Sequence, residues 1–546
     1  MLSNVARFLP DIARAQPRAC AVRAPLGDDP DHHGHIAYAQ LTFAQLDADA
    51  DAAARLFQSR GIARGTRVLL LVRPGLDLLR CAFALFKLGA VPILLDPGMG
   101  LKNFLACVRR SEPAALVAIA RAHWLARIFP AALRSAKIRV LVGGRVWERD
   151  LAAHRSADPF PLAPTQPADL AAILFTSGST GAPKGVCYEH SMFEAQVRLI
   201  REHYDITPGE VDLPMLPIFA LFNPALGMTT IVPEINPSRP AACDPARIVQ
   251  AIRQNSVTNS FGSPALWARV ARYCETARRD LPTLRRVLVA GAPVHPALLR
   301  RLQKLLPNGS AHVPYGATEA LPVSSISQSE VLGETWSLTE QGRGSCVGTL
   351  FPGMDARIIP LRDGPIASLT DVSALPPGEI GEIIVRGPVV TRAYDHLPAA
   401  TASAKIPDPT PSDLPSLAST LQPSAELETQ NPKPETHSSF WHRLGDLGYR
   451  DPQGRLWFCG RAAERVETSS GILYTDCVEA IFNRHPRVAR SALIGLGARP
   501  RQQPALVVEP EPGHFPRTRA ARASFTAELL ALAVASPNTC LVTRIF

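Results

Sequence analysis

Lysine is scarce in this chain. Only seven of its 58 basic residues are lysine, and the formal net charge is +10 with an isoelectric point near 9.3. The arginines stand singly or in pairs, without a long basic block or interleaved aromatic residues, which argues against a nucleic-acid-binding segment. We therefore expect no nucleic-acid partner, while weak attraction to anionic membranes or acidic carriers stays open.

Closely spaced cysteines are also lacking. Ten cysteines are spread from Cys20 to Cys540, and no two have the C-x-x-C spacing of zinc sites and redox motifs. We therefore expect reduced thiols and a cytoplasmic location, without a disulfide framework.

The chain has no long uninterrupted apolar run. Residues 1–16 lack the basic region and apolar stretch of a secretory signal. The most apolar window, residues 78–95, contains Arg80 and Lys87. It predicts a buried helix followed by a strand rather than a transmembrane segment.

Short apolar runs alternate with helical stretches over most of the 546 residues. The runs are apolar at consecutive positions, which is typical of strands covered on both faces. This alternation predicts the α/β fold class with mainly parallel sheets. Predicted strands occupy residues 68–72, 91–95, 171–175 and 287–290, and two predicted helices occupy residues 244–254 and 296–306.

Residues 407–439 interrupt the alternation. Seven of these 33 residues are proline, and apolar periodicity is absent, so the composition predicts a disordered surface insertion. A second boundary is expected near Gly460 and Arg461. The predicted organisation is a large N-terminal domain over residues 1–459 and a small C-terminal domain over residues 460–546.

The strongest chemical signal is TSGSTGAPKG at residues 176–185, directly after a predicted strand. Glycines allow positive φ and let backbone N–H groups approach an anion, hydroxyls add donors, and Lys184 adds a positive charge. The spacing matches neither a Walker A loop nor a G-x-S-x-G nucleophile elbow. Ten consecutive residues of this kind favour a polyphosphate site over the alternative, a polar turn.

This segment resembles the signature loop of the adenylate-forming superfamily, which comprises acyl-CoA synthetases, luciferases and peptide-synthetase adenylation domains. The resemblance continues at residues 42–46, at residues 87–92 and in the adenine-side turn at residues 291–293. It implies a large adenylate-forming domain with mainly parallel covered sheets, followed by a small α+β domain.

The resemblance also assigns roles to single residues. It implies that Tyr315 stacks on adenine, that Thr318 contacts the α-phosphate and that Glu319 helps to hold Mg²⁺. Asp446 is implied to accept both ribose hydroxyls, and Arg461 to contact ribose or phosphate at the hinge.

Two sets of predicted residues follow. The catalytic set is Thr176, Lys184, Thr318 and Glu319, with Glu319 also the metal ligand. The predicted ATP/AMP-binding set is Thr176, Ser177, Gly178, Ser179, Thr180, Gly181, Lys184, Gly291, Ala292, Pro293, Tyr315, Gly316, Thr318, Asp446 and Arg461.

Residues 213–227 form an apolar segment after the loop. Acyl-CoA synthetases commonly carry a histidine after the aromatic residue of this region, where this chain has Ala220. Its FALF-x-PALG pattern resembles the olefin-pathway β-lactone synthetases. For each residue of the acyl pocket named below, the alternative interpretation is ordinary packing in the hydrophobic core. His190 is expected to have a structural role. The predicted acyl pocket is lined by Phe219, Phe222, Phe261 and Gly262.

That resemblance implies a ligase of fatty acid metabolism and olefin biosynthesis. It would activate a fatty β-hydroxy acid with ATP and Mg²⁺ as acyl-AMP, and the β-hydroxyl would then close a β-lactone and release AMP. CoA is not expected to be required, because the CoA-associated glycine of the family aligns with Ser470, or with Gly471 after a one-residue shift. The expected partners are the fatty acid and enzymes of a hydrocarbon pathway. The alternatives are a fatty-acyl-CoA or acyl-carrier-protein ligase and an inactive nucleotide-binding remnant.

No lysine follows Lys433. The family places a lysine beyond the hinge, where it reaches the carboxylate and the α-phosphate during adenylation. The sequence is therefore expected to be truncated before that segment, which motivates the remnant alternative because charge stabilisation is a large catalytic contribution.

Overall fold

The computed structural model describes residues 3–175, 182–236, 242–409 and 440–546. The chain forms two compact units. The first comprises Met1–Thr339, Ser345–Phe351 and Ala393–Pro398, and the second comprises Glu340–Gly344, Pro352–Arg392 and Ala399–Phe546.

The strands are named here in chain order. They are β1 (Cys20–Asp28), β2 (Ile36–Thr42), β3 (Arg67–Leu71), β4 (Val91–Leu95), β5 (Ala115–Ile119), β6 (Ile138–Val142), β7 (Leu170–Phe175), β8 (Gly185–Glu189), β9 (Val211–Pro214), β10 (Thr229–Ile231), β11 (Asn259–Gly262), β12 (Arg286–Val289), β13 (Ser310–Ala317), β14 (Ala320–Ser327), β15 (Ser345–Leu350), β16 (Asp355–Ile359), β17 (Gly381–Arg386), β18 (Lys405–Pro407), β19 (Phe440–Arg450), β20 (Leu456–Arg461), β21 (Val466–Thr468), β22 (Gly471–Leu473), β23 (Val488–Leu496), β24 (Gln503–Pro510) and β25 (Arg544–Ile545).

The α-helices follow the same convention. They are α1 (Phe8–Ala15), α2 (Phe43–Ser59), α3 (Leu76–Leu88), α4 (Leu101–Ser111), α5 (Ala120–Ile128), α6 (Gly144–Ala153), α7 (His190–His203), α8 (Asn223–Leu226), α9 (Pro245–Gln254), α10 (Pro264–Ala277), α11 (Pro296–Leu305), α12 (Gln328–Glu330), α13 (Trp336–Glu340), α14 (Pro398–Ala404), α15 (Thr475–Asn483) and α16 (Arg519–Val534).

A six-stranded sheet with the order β6-β5-β3-β4-β7-β8 organises the first unit. Its first five strands are parallel, and β8 closes the sheet antiparallel to β7. Helices α4 and α5 pack on one face through a core that includes Cys107, Val108 and Ala126. The strands are apolar at consecutive positions because both of their faces are covered.

A local sequence pattern sets the N-terminus of helix α2. Thr42 and Gln45 form a capping box, in which each side chain accepts a hydrogen bond from the other residue's backbone N–H. Lys87 on α3 is buried and donates to Asp47 and Asp51 on α2. A buried ammonium needs such partners, so the lysine ties the two helices together.

A second sheet of the first unit has the order β15-β14-β13-β12-β11-β9-β10-β1-β2. Its strands run parallel from β13 through β1, and the pairs at both ends are antiparallel. The carboxyl ends of β11, β12 and β13 therefore lie at one edge of this sheet, where α/β proteins commonly bind ligands.

The second unit is built differently. Strands β16, β17, β19 and β20 form antiparallel pairs, and β18 pairs with β19. Further along the chain β23 and β24 form an antiparallel hairpin whose core includes Val478, Phe482 and Leu529 from α15 and α16. This part has the α+β character expected for the small domain.

The predicted α/β class is confirmed, and so are the predicted elements. Strands β3, β4, β7 and β12 and helices α9 and α11 form at the expected positions, and residues 78–95 contain most of α3 and all of β4. The prediction of mainly parallel sheets holds for the first unit, whereas the sheets of the second unit pair mostly antiparallel. The domain boundary predicted at residue 460 lies inside the second unit and stays a prediction.

The first residues of the predicted insertion are ordered, which corrects the expectation of disorder at residues 407–409. Pro407 ends β18, and Asp408 is buried, where its carboxylate accepts hydrogen bonds from Arg386 at 3.1 Å and Trp441 at 3.0 Å. These partners order a segment whose composition resembles a linker. Residues 410–439 lie outside the described residues. In the part of the chain that the structure describes, no helix is long and apolar enough to cross a bilayer.

Candidate functional site

The predicted phosphate loop joins β7 to β8. Its residues 176–181 lie outside the described residues, so the roles of Thr176, Ser177, Gly178, Ser179, Thr180 and Gly181 stay predictions. The two flanking residues, Phe175 and Gly185, pair with each other across the two strands. A Cβ atom at residue 185 would lie 2.6 Å from Phe175 Cζ, so only glycine fits there.

Lys184 lies directly before β8, and its side chain faces an aromatic ring. Its Nζ atom is 4.7 Å from the centroid of the Tyr394 ring, a cation–π geometry. The backbone of residues 393–395 lies alongside β8, with Asp395 N donating to Gly185 O at 2.7 Å. We name residues 393–395 the Tyr394 strap.

The tyrosine of the strap also contacts the predicted metal ligand. Its hydroxyl donates a hydrogen bond of 2.6 Å to Glu319 Oε1. Burial and the nearby Glu319 carboxylate raise the pKa of Tyr394 well above its ordinary value, so the phenol stays protonated and remains a donor. Tyr394 therefore links the predicted phosphate-binding lysine to the predicted magnesium ligand.

A partly buried ion pair fixes the strap on its other side. The Asp395 carboxylate accepts a hydrogen bond of 2.6 Å from Arg67 of β3, and the Asp395 side chain is only 5% exposed. Arg67 also donates to the backbone oxygen of Ser111. The strap is thereby anchored to the six-stranded sheet next to the loop.

Sequence reasoning missed Tyr394. It stands 75 residues after Glu319, and no local pattern around it indicates a role. Only the pairing of the strap with β8 brings the ring to Lys184, and this long-range pairing leaves no periodic signal.

The hairpin between β13 and β14 carries the second predicted motif. Ala317 pairs with Ala320, so Thr318 and Glu319 form the connecting turn. Tyr188 of β8 donates to Thr318 O at 2.6 Å. Gly316 has φ +156°, and a Cβ atom there would lie 2.4 Å from Ala320 O, which requires glycine at this close approach.

Three predicted segments meet at the carboxyl edge of the second sheet. Gly262 ends β11, residues 291–293 follow β12, and Tyr315 lies near the end of β13. These strands are parallel neighbours, so their carboxyl ends lie at one edge of the sheet. This edge carries the predicted acyl-pocket residue Gly262, the adenine-side turn and Tyr315, which is predicted to stack on adenine. Gly291, Ala292 and Pro293 are exposed there, and Tyr315 is partly exposed.

The predicted acyl-pocket residues form an aromatic cluster. The rings of Phe219 and Phe261 stack with centroids 4.0 Å apart, and Phe219 and Phe222 have centroids 6.1 Å apart. Phe222 also lines an apolar crevice together with Phe193 and Phe86. Gly262 is closely packed, because a Cβ atom there would lie 3.0 Å from the indole nitrogen of Trp267. The structure brings these residues together, and their contact with an acyl chain stays a prediction.

Asp446 and Arg461 lie opposite each other on β19 and β20 of the second unit. The guanidinium Nη1 is 2.5 Å from Asp446 Oδ1, and Asp446 is 3% exposed. Asp446, predicted to accept the ribose hydroxyls, and Arg461, predicted to contact ribose or phosphate, thus form an ion pair that orients both side chains.

His190 occupies a structural position, as expected. It is 1% exposed, and its Nδ1 atom accepts a hydrogen bond of 3.2 Å from Val5 N. Burial lowers the pKa of His190 to about 4, so the imidazole is neutral at physiological pH. The ring holds the N-terminal segment against α7.

The arrangement fits ATP with Mg²⁺. An ammonium for a polyphosphate and a carboxylate for a hard cation both contact Tyr394. Among the described residues, no group of three or more His, Cys, Asp or Glu side chains is placed to hold a metal alone. The single carboxylate of Glu319 suits Mg²⁺, which usually keeps waters and binds substrate phosphates with only one or two carboxylates.

Two curated relatives match nearly the whole chain. An olefin β-lactone synthetase of Xanthomonas campestris pv. campestris is 42% identical over 100% of this chain and 93% of its own length. An olefin β-lactone synthetase of Stenotrophomonas maltophilia is 43% identical over 93% of this chain and 88% of its own length.

Solved structures share the fold at low sequence identity. The amide bond synthetase McbA from Marinactinospora thermotolerans superposes with a TM-score of 0.75 at 20% identity, covering 99% of this chain and 95% of that one. ATP-bound MatB from Rhodopseudomonas palustris gives a TM-score of 0.74 at 22% identity, covering 100% and 95%.

The family model described as AMP-binding enzyme matches residues 13–395, a range that contains the loop, the hairpin and the Tyr394 strap. Since this match spans more than half of the chain and agrees with the relatives and the fold, the protein belongs to the AMP-binding enzymes, the family of ATP-dependent acid-activating ligases.

Proposed function

We propose that this protein adenylates a fatty β-hydroxy acid with ATP and then closes the acyl-AMP to a β-lactone with release of AMP. The observation that carries the proposal is the 42–43% identity, over nearly the whole chain, to two olefin β-lactone synthetases. Ala220, where acyl-CoA synthetases commonly have a histidine, supports the same assignment.

In the first step a carboxylate oxygen attacks the α-phosphorus of ATP, and the bond to pyrophosphate breaks. Both reactants are anionic, so the main task of the protein is charge neutralisation and positioning. Lys184 would neutralise phosphate charge, and Tyr394 would hold this lysine and Glu319 in place. Glu319 would hold Mg²⁺, which supplies positive charge to the phosphates when bound.

In the second step the β-hydroxyl oxygen of the same substrate attacks the acyl carbonyl carbon. The carbon–oxygen bond to AMP breaks, AMP leaves, and the hydroxyl proton is lost, so the ring closes without an external thiol. CoA independence is therefore part of the proposal. Ser470 lies in an exposed turn between β21 and β22, and the CoA-associated glycine of the family aligns with it, or with Gly471 after a one-residue shift.

The proposed substrate is a fatty acid, and the proposed setting is a hydrocarbon pathway in the cytoplasm. A strained β-lactone product requires an enzyme that consumes it, and a β-hydroxy acid requires one that supplies it. All ten cysteines are free thiols, which fits a reducing compartment.

The test supplies ATP, Mg²⁺ and a long-chain β-hydroxy acid without CoA, and analyses the products by mass spectrometry. We expect equimolar AMP and a product one water lighter than the acid. The matched control is the same acid without its β-hydroxyl, which can be adenylated but cannot form the lactone.

The rival function is a fatty-acyl-CoA or acyl-carrier-protein ligase. Release of AMP that requires CoA or a carrier, with a thioester as product, would replace the proposal by this rival. Nucleotide binding without any exchange of pyrophosphate into ATP would instead support the inactive remnant.

A further inference from the structure

Most of the net charge of the protein is concentrated in one stretch. Residues 101–146 contain nine lysine and arginine residues and one acidic residue, a net charge of +8 out of +10 for the whole chain. Eight of the nine basic residues are exposed, and Arg110 is half-buried. The remaining 500 residues are therefore nearly balanced in charge, and this stretch accounts for most of the net charge of the protein.

Five of these basic residues lie on helices α4 and α5, Arg134 and Lys137 lie in the connection to β6, and Arg139 and Arg145 lie on β6 and α6. Helices α4 and α5 and the short 3₁₀ helix Pro130–Ala132 pack on the same face of the six-stranded sheet. On α4 the exposed residues include Lys102 and Arg109, two turns apart. The layer turns its apolar side to the sheet and its basic side to solvent.

Helix α5 adds apolar side chains to the charged surface. Arg121, Trp124 and Ile128 are spaced i, i+3 and i+7, so they share one face of the helix. Trp124 is 62% exposed and Ile128 is 47% exposed, and Leu101 at the start of α4 is 51% exposed. Four of the six tryptophans of the protein, in contrast, are fully buried.

One of these nine residues is held by the backbone, because Arg110 Nη1 donates a hydrogen bond of 3.0 Å to Pro183 O. In the described ranges none of the nine basic residues forms an ion pair, whereas Arg80, Arg286 and Arg443 elsewhere are held by carboxylates at 2.5–2.9 Å. We name the exposed set the arginine–tryptophan face; it consists of Leu101, Lys102, Arg109, Arg121, Trp124, Arg127, Ile128 and Arg134.

We propose that the arginine–tryptophan face docks the enzyme on an anionic lipid surface. Basic residues are attracted to anionic headgroups, and Trp124, Ile128 and Leu101 suit insertion at the boundary between headgroups and acyl chains. The face carries charge of a single sign over several helical turns, which matches a uniformly anionic lipid surface, and an acidic protein partner is an alternative outcome of the test below.

The choice of a lipid surface agrees with the proposed fatty substrate, and in this respect it rests on the proposed function. A long-chain acid partitions into bilayers, so an enzyme held at the surface meets its substrate at a high local concentration. The binding itself needs no turnover, and it can therefore be tested separately from the reaction.

The test is flotation of the full chain with vesicles of phosphatidylcholine, with and without phosphatidylglycerol. We expect the protein to bind only the anionic vesicles. This binding should weaken as the salt concentration is raised, because surface charge is screened beyond a Debye length. The R121Q/R127Q variant should bind at least about tenfold more weakly, since each basic residue near the surface contributes roughly fivefold. W124S should lose the part of the binding that resists salt.

The matched control is R272Q/R279Q, which removes two exposed arginines from and beside α10 and lowers the net charge equally. This control should bind like the wild type. Adenylation of a short water-soluble acid without vesicles should be unchanged in R121Q/R127Q, which separates a failure of docking from a failure of the proposed reaction.

Three results would overturn the proposal. They are absence of binding to anionic vesicles at low salt, equal weakening by both arginine pairs, and binding to neutral vesicles as strong as to anionic ones. Binding of an acidic carrier protein or RNA by the wild type but not by R121Q/R127Q, without vesicle binding, would assign the face to that partner instead.

Discussion

The Tyr394 hydroxyl donates a hydrogen bond of 2.6 Å to Glu319 Oε1, and the ring of the same residue lies 4.7 Å from the Lys184 ammonium. One side chain thus contacts both an anionic and a cationic residue of the predicted site. The strap holds it there through Asp395 and Arg67. Because the hydroxyl makes one contact and the ring makes the other, the hydrogen bond to Glu319 can be removed while the ring is kept.

Replacing Tyr394 by phenylalanine should mainly affect the use of MgATP. The Y394F variant keeps the ring next to Lys184 but leaves the Glu319 carboxylate without this donor. We expect the KM for MgATP in pyrophosphate–ATP exchange to rise about tenfold, which corresponds to the loss of one hydrogen bond to a charged group. Y394L, which also removes the ring, should lose more.

Tyr204 provides the matched control for this experiment. Its hydroxyl lies 3.0 Å from Ser325 Oγ and is buried, so Y204F also removes one internal hydrogen bond. Y204F should lower stability by about 1 kcal/mol and leave the KM for MgATP unchanged. An unchanged KM in Y394F would show that the Tyr394–Glu319 contact is only structural.

Neutralising Lys184 should affect the chemical step more strongly. The K184Q variant removes the cation that we propose to neutralise phosphate charge. A loss of about 10²–10³ in kcat/KM for ATP is expected, the range measured when one stabilising group of a transition state is removed. K304Q, at an exposed position on α11, is the control and should behave as wild type. Equal activities of the two variants would contradict the proposed role.

The parts of this fold that sequence reasoning predicted are those with a local physical cause. Residues 91–95 and 171–175 are apolar at consecutive positions because helices cover both faces of β4 and β7, and this signal is visible in a single window. The loop at residues 176–185 was recognised because its chemistry is contiguous. The antiparallel strands of the second unit, such as β19, carry mixed glycine, polar and apolar residues, and no window marked them.

Contacts between distant residues were not predictable in the same way. The sequence marks Lys87 as a charge within an apolar window and as part of the resemblance at residues 87–92, but it does not indicate the buried pairing with Asp47 and Asp51 on α2. The ion pair of Asp446 with Arg461 depends on the register of β19 and β20. Sequence reasoning identified both residues but did not predict that they pair, since register is set by the whole sheet.

The stacked pair of Phe219 and Phe261 gives a test of the acyl pocket. If Phe219 contacts the acyl chain, F219A removes apolar contact worth about 1.5–3 kcal/mol. Activity with long-chain acids should then fall at least tenfold relative to short-chain acids, measured as kcat/KM across a chain-length series. A lower unfolding temperature with an unchanged chain-length profile would show that Phe219 only packs the core.

Asp212 predicts a pH dependence of stability. It is buried on β9 beside Glu210, and burial together with that carboxylate raises its pKa to about 7, although Asn223 Nδ2 donates to it at 3.0 Å. Between the ordinary pKa of an aspartate and about 7, the folded protein holds a proton that the unfolded chain has released. Stability therefore falls as pH rises through this window, by up to about 1.4 kcal/mol per pH unit from this group.

The D212N variant should remove this contribution, because asparagine keeps the shape and an acceptor for Asn223 but does not ionise. We expect D212N to be more stable than wild type by about 1–3 kcal/mol at pH 8, with the difference vanishing near pH 4, in urea unfolding measured across pH.

D451N is the control, because the pKa of Asp451 is shifted in the opposite direction. Partial burial acts to raise this pKa, but hydrogen bonds from Trp457 and Arg455 hold it below its ordinary value. Loss of the Asp451 carboxylate in D451N should therefore lower the free energy of unfolding at neutral pH. This destabilisation should become smaller as pH falls. Parallel pH profiles for wild type and D212N would mean that Asp212 is already ionised in the folded protein throughout this range.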